Sequence, residues 1–185
     1  YIEVPMGITM REIVQDYAGG MLPDSLFKLA MTGGSSGSIV PAALQDVPLA
    51  YEAFREAGIF LGSGSLLICD QSTCIVDLTR VVYNFFKKES CGRCAPCRIG
   101  SRKGHEILTR ISEGKGRLDD LENLERFAHH LTEGANCGLG NAVGIPLTGA
   151  IKYFRKEIEA HIIDHHCPAG VCAMQAVQPA SYERM

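Results

Sequence analysis

The sequence predicts an α+β fold built in two parts. Up to about residue 70, short strand-like and helix-like pieces alternate without a repeated βαβ unit. From about Thr73 onward the apolar residues recur at helical spacing, and four amphipathic stripes with short connections follow, the pattern of a helical bundle. The chain is 46% hydrophobic and 21% charged over 185 residues, enough apolar material for a core without disulfide staples.

Ile2 and Val4 alternate with polar neighbours and read as a short strand. Thr9-Met10-Arg11-Glu12 reads as a capping box, so a short helix runs from there to about Ala18 and stops at Gly19-Gly20. Residues 26–32 form a second strand, the glycine–serine run 33–37 a turn, and residues 66–68 a third strand. Ile75, Leu78, Val82 and Phe85 carry the first long helix. Ile107, Leu108 and Ile111 carry the second, ended by Gly114 and Gly116. Leu121, Leu124, Ala128 and Leu131 mark a third, opened by Asp119-Asp120 and ended by Gly134. Leu147, Ile151, Phe154, Ile158 and Ile162 mark a fourth, with Pro146 in its first turn. Residues 164–185 form a less periodic tail.

Several function classes lose ground at once. The net charge is −3, unlike a dedicated nucleic-acid binder. The least polar stretch, residues 139–151, is too short and too broken to insert in a membrane. No secretory signal opens the chain, so its eight cysteines suggest a cytoplasmic protein that uses them for metal rather than disulfides. No dinucleotide fingerprint or phosphate-binding lysine motif occurs, so the 33–37 run is a loop before it is a nucleotide cradle. The first residue is Tyr1, not Met, which fits a piece of a longer polypeptide.

The chemistry-bearing segment is Ser90-Cys91-Gly92-Arg93-Cys94-Ala95-Pro96-Cys97-Arg98. Three thiols at this spacing, with one distant Cys137 in a glycine-flanked loop, match the four corners of a [4Fe–4S] cluster: a tight loop wraps three irons and a remote residue closes the fourth. Gly92 permits an unusual backbone angle there, and Pro96 stiffens the loop. Ser90, Gly92, Arg93, Pro96 and Arg98 are the expected neighbours of the cluster. Between residues 98 and 117, six cations stand against two carboxylates, which would ease reduction of a negatively charged cluster or form a solvated helix face. Structural zinc on the same four cysteines is the competing reading, although zinc sites usually present paired arms.

Residues 89–100 (ESCGRCAPCRIG) and 136–162 (NCGLGNAVGIPLTGAIKYFRKEIEAHI), with EVPMGITMREIVQDYAGG, GGSSG and GIFLGSGSLLICDQSTCIVD upstream, resemble a known family. It is the NADH-binding flavoprotein subunit of respiratory complex I and its relatives. Those relatives are the diaphorase subunits of NAD(P)-linked and electron-bifurcating hydrogenases and of NAD-dependent formate dehydrogenases. The resemblance spans about residues 1–163. It implies an SLBB domain of β-grasp (ubiquitin-like) fold over residues 1–72 and a four-helix [4Fe–4S] domain over residues 73–163. Cys91, Cys94, Cys97 and Cys137 match the cluster ligands of the family. FMN and NAD(H) would belong to a domain N-terminal to this chain in the parent polypeptide, so the chain alone is expected to be non-catalytic. The partners implied are a thioredoxin-like [2Fe–2S] subunit and a hydrogenase or dehydrogenase catalytic subunit.

The tail resembles the hydrogenase-type members, in which CPAGVC leads toward a ferredoxin-like extension. There His161, Cys167 and Cys172, with Cys74 as the distant arm, would make a closed tetrahedral zinc site anchoring the tail. Cys69 competes with Cys74 for that arm, and His165 or His166 with His161. Buried cysteines can also be simple small hydrophobes. The function expected is electron relay between FMN and partner iron–sulfur subunits of an NAD(P)H-linked oxidoreductase. The rivals are a zinc-holding partner-recruitment module and a nucleotide-binding enzyme using the 33–37 loop.

Overall fold

A computed structural model describes residues 1–174; the remainder of the tail expected over 164–185 lies outside the described residues. The capping box forms as expected. The Thr9 hydroxyl accepts the Glu12 N–H at 3.2 Å while the Glu12 carboxylate accepts the Thr9 N–H at 2.8 Å. The short helix α1 (Met10–Glu12) widens at once into a π turn over Ile13–Tyr17 and buries Met10, Ile13 and Val14. Three strands make the sheet: β1 (Phe27–Thr32) in the centre, with β2 (Ile39–Pro41) and β3 (Leu66–Asp70) antiparallel on either side.

Alternation along the strands divides the sheet's faces. Ala30 and Val40 face a small core with Met10, Ile13, Leu49, Ile59 and Phe54, the last on helix α2 (Tyr51–Glu56). Leu29, Met31, Ile39 and Cys69 face the helical part. One expectation fails here. Ile2 and Val4 are in no strand: Ile2 is exposed, and among the described residues no partner strand lies alongside. Strand β2 and helix α2 escape the sequence reading because each is too short to show a period. The 33–37 run is a tight turn in which a Cβ on Gly37 would overlap the Thr32 carbonyl oxygen, so those glycines serve close backbone packing.

Four long helices follow: α3 (Ile75–Glu89), α4 (Ala95–Ser112), α5 (Asp120–Gly134) and α7 (Gly144–Ile163), with the short α6 (Gly138–Ala142) before the last. In contact, α3 meets α4 and α7, and α5 meets α4 and α7, closing a ring around Leu108, Ile111, Leu124, Leu131 and Leu147. The first stripe differs from expectation. Phe86 is buried and Phe85 is 41% exposed, because the inward face runs Ile75, Thr79, Val82, Tyr83, Phe86. Helix α4 begins twelve residues before the apolar triplet that announced it. Its first half packs through Gly100, Ser101 and Gly104, and small residues leave no hydrophobic period to read. Pro146 sits in the first turn of α7 as expected, and Phe154 breaks helical geometry in its middle (φ −129°, ψ 26°). No helix among the described residues is long and apolar enough to cross a membrane.

Candidate metal centres

The first centre is built where α3 ends and α4 begins. Gly92 takes φ +77°, a left-handed turn that a side chain would strain. Cys94 then caps α4, and Pro96 fits its first turn, where no N–H is required. Cys91, Cys94 and Cys97 are thereby gathered at one helix N-terminus. The remote arm reaches the same place. Cys94 is held below the ordinary thiol range first by the backbone N–H of Asn136 and then by that of Cys97, with Arg98 adding its charge. Asn136 immediately precedes Cys137, which caps α6.

Packing fixes this junction. A Cβ on Gly140 would stand 2.6 Å from the Ala135 Cβ and 3.3 Å from the Cys97 Cβ, so only glycine lets α6 approach. Asn141 Nδ2 donates to the carbonyls of Thr132 (2.7 Å) and Ala135 (3.1 Å) and locks the loop. Of the expected neighbours, the Ser90 hydroxyl accepts from the Cys97 thiol at 3.3 Å, and Arg98 Nη1 donates to the Gly92 carbonyl at 2.8 Å. Pro96 packs against Gly134. Arg93 is exposed. Cys97 is buried, Cys94 half-buried, Cys91 and Cys137 exposed, and all four thiols are free. The set is suited to a bulky thiolate-bound group: four unbridged sulfurs and N–H groups aimed at sulfur.

The second centre is tighter. Cys74, at the start of α3, His161, in the last turn of α7, and Cys167 and Cys172, in the turn that follows α7, place their ligand atoms within 4.8 Å of one another. Cys74 Sγ lies 3.3 Å from His161 Nε2 and 3.6 Å from Cys172 Sγ. A tetrahedron with zinc–sulfur bonds of about 2.3 Å has sulfur–sulfur edges of about 3.8 Å, so these separations suit one zinc ion. Cys69 lies opposite Leu29 in the sheet, its thiol pushed up by burial, and His165 Nδ1 bonds the Gly114 carbonyl at 2.9 Å. Neither joins the cluster, nor does His166.

The titration of these groups reflects their crowding. Contact with the Cys172 thiol and with His161 outweighs burial and brings Cys74 down to about 4. Burial lowers His161, but Cys74 and the Glu157 carbonyl raise it further, to about 9. The neighbouring Cys74 thiolate pushes Cys172 up. Burial raises Cys167, yet the N–H groups of Cys172 and Val171 bring it below the usual thiol value. Four donors converge on one point, as a closed metal site requires. Sequence reasoning missed Asn136 and Gly140 as individual positions, although the glycine-flanked loop drew attention. It also missed Lys28 and Glu157, which no local pattern links.

Comparison with known proteins gives the same direction. A protein family described as "NADH-ubiquinone oxidoreductase-F iron-sulfur binding region" matches residues 77–161. The chain is 40% identical to HndC of the NADP-reducing hydrogenase of Solidesulfovibrio fructosivorans, over 92% of this chain and 35% of that protein. It is 39% identical to an NADH-quinone oxidoreductase subunit of Escherichia coli (strain K12), over 86% of this chain and 36% of the other. Among solved structures, the NAD+-reducing [NiFe]-hydrogenase in the H2-reduced state matches with a TM-score of 0.76 and 28% identity, over 86% of this chain and 26% of that one. The chain thus spans little more than a third of the length of these curated relatives.

Proposed function

We propose, because residues 77–161 match the family described as NADH-ubiquinone oxidoreductase-F iron-sulfur binding region, that the chain is the electron-relay part of an NAD(P)H-linked oxidoreductase subunit. Cys91, Cys94, Cys97 and Cys137 would hold its [4Fe–4S] cluster. The observation that carries the ligand set is the approach of the remote loop to the hook: Gly140, three residues after Cys137, backs so closely onto Cys97 that a Cβ there would stand 3.3 Å from the Cys97 Cβ, and the Asn136 N–H helps hold the Cys94 thiol below its usual range. When bound, the cluster supplies reversible one-electron storage. The residues around it supply the rest. N–H donors and Arg98 stabilise negative charge on the sulfurs, and Ser90 holds the buried Cys97. Cys91 and Cys137 leave an exposed side through which electrons would pass to a partner.

In this reading residues 1–72 are an SLBB-like β-grasp domain, residues 73–163 the four-helix cluster domain, and residues 164–185 a linker toward a ferredoxin-like extension. Electrons would travel between FMN, on a domain preceding this chain, and partner iron–sulfur subunits. The CPAGVC tail, which resembles that of the hydrogenase-type members, favours a bifurcating or NAD(P)-reducing hydrogenase over a formate dehydrogenase or complex I, while hydrogenase and NADH-quinone oxidoreductase relatives are nearly equally similar, at 40% and 39% identity. Unbridged thiols suit the reducing cytoplasm. Cys74, His161, Cys167 and Cys172 would hold structural zinc, supported by donor atoms gathered within 4.8 Å.

The test is anaerobic purification followed by iron, sulfide and zinc analysis with electron paramagnetic resonance. The expected protein is brown, carries four irons per chain and gives a signal on reduction. Cys94→Ser should remove or damage the cluster while NADH-to-FMN reduction survives in the parent enzyme. A colourless chain holding two zinc ions and no sulfide would replace electron relay with the zinc-held recruitment module.

A further inference from the structure

One buried ion pair surrounds the second centre without belonging to it. Lys28 Nζ on β1 stands 2.7 Å from Glu157 Oε2 on α7, with both side chains less than 15% exposed. Burying two charges costs several kcal/mol per ion unless each is well partnered, and here each charge has a second partner next to Cys74. Lys28 Nζ donates to the Thr73 carbonyl at 2.5 Å. Glu157 Oε1 accepts the Ile75 N–H at 2.9 Å. The two peptide groups flanking Cys74 are therefore clamped, one by the cation and one by the anion.

Glu157 reaches the site by a second route. Its backbone carbonyl lies 2.7 Å from His161 Nδ1. A carbonyl only accepts, so Nδ1 keeps a proton and Nε2 is the ring atom left facing Cys74, the one that would lose its proton to ligate a metal ion. One residue of α7 thus orients two of the four donors, one through its carboxylate and one through its main chain. Lys28 extends the support to the sheet and also lies 5.7 Å from the ring centre of Phe154, where α7 departs from helical geometry.

We infer that Lys28 and Glu157 are positioning residues for metal binding, a paired clamp that sets Cys74 against His161 before the ion arrives. The inference rests on the zinc reading of the four-donor cluster. The clamp adds no ligand. It fixes the arm that is most distant in sequence, so that Cys74 is placed independently of the ion. Partners of this kind around metal-bound groups typically change affinity 10–100-fold when removed.

The experiment uses the full chain with its cluster loaded, titrated with zinc against a chromophoric chelator and, separately, with cobalt(II). Glu157→Leu removes the acceptor for the Ile75 N–H and keeps the main-chain carbonyl that faces His161, while Lys28→Met removes the cation that holds the Thr73 carbonyl. Each is expected to weaken zinc about 10–100-fold and to reduce the tetrahedral cobalt bands. The double variant should be no weaker than the worse single one, because the two act as a unit. A pair serving only the fold would lower the melting temperature of the metal-free protein and leave zinc affinity within twofold; that result overturns the clamp. A wild-type chain that holds no zinc and shows no tetrahedral cobalt spectrum overturns the zinc reading and the clamp together.

Discussion

The two cysteine centres use the same donor chemistry in opposite ways. Cys91 and Cys137 are exposed, and their centre is joined by backbone contacts between loops. Cys74, His161 and Cys167 are buried, and their donor atoms already converge on a single point. An electron carrier needs room for a cubane and a short path to solvent-side partners. A structural ion needs a closed shell that water cannot enter. On the proposed reading, openness at one end of the helical layer and closure near the sheet would divide transfer from anchorage.

The sharpest way to break that division is to remove one ligand from each centre. Cys137→Ser should abolish the brown absorption and the paramagnetic signal and leave zinc content unchanged. His161→Ala should bring zinc to background, leave the iron signal intact and open residues 164–174 to protease, because the turn after α7 loses its tether. Metal and sulfide analysis of the two variants checks both. Loss of both metals from either variant would show one cooperative site in place of two.

How far the sequence revealed this follows from where each signal lives. The hook was legible because its three cysteines are neighbours in the chain, and the long helices were legible from their apolar stripes. The sheet edge at 39–41 and helix α2 were not, since three strand residues and less than two helical turns show no repeat. The start of α4 was hidden because glycine and serine replace apolar side chains on its inward face. Among the proposed zinc donors, sequence left Cys69 competing with Cys74, and His165 or His166 with His161. Only the convergence of β3, α3 and α7 separates them, and that is tertiary information. Lys28 and Glu157 lie far apart in the chain, on a strand and a helix, and share no motif at all.

A smaller effect tests whether the open centre depends on backbone approach. In Gly140→Ala the new methyl meets Ala135 and Cys97, so α6 must move away from the hook. We expect about 1–3 kcal/mol of destabilisation and a lower iron content, measured by denaturant melts and iron analysis. Gly138→Ala, two residues earlier on the same helix, meets nothing within 4 Å and should be tolerated. Equal loss in both variants would mean that α6 tolerates no alanine anywhere. Loss in neither would mean that the remote arm is not held by close packing.

The smallest effect concerns the helix pair that links the centres. Tyr83, on α3, is fully buried against Gly104 of α4, and its hydroxyl has no partner among the described residues. Burial pushes the phenol above its ordinary range, so it stays neutral. An unpartnered buried hydroxyl costs about 1–3 kcal/mol of lost hydration. Tyr83→Phe should therefore leave stability unchanged or raise it by about 1 kcal/mol, a gain of roughly 2–4 °C in melting temperature for a chain of this size. Iron and zinc contents should both stay at their wild-type values, because the ring and its packing on Gly104 remain. A drop in stability would instead place a bound water on the hydroxyl. A drop in either metal would make this helix pair a coupling element, and the separation between open and closed centres would no longer hold.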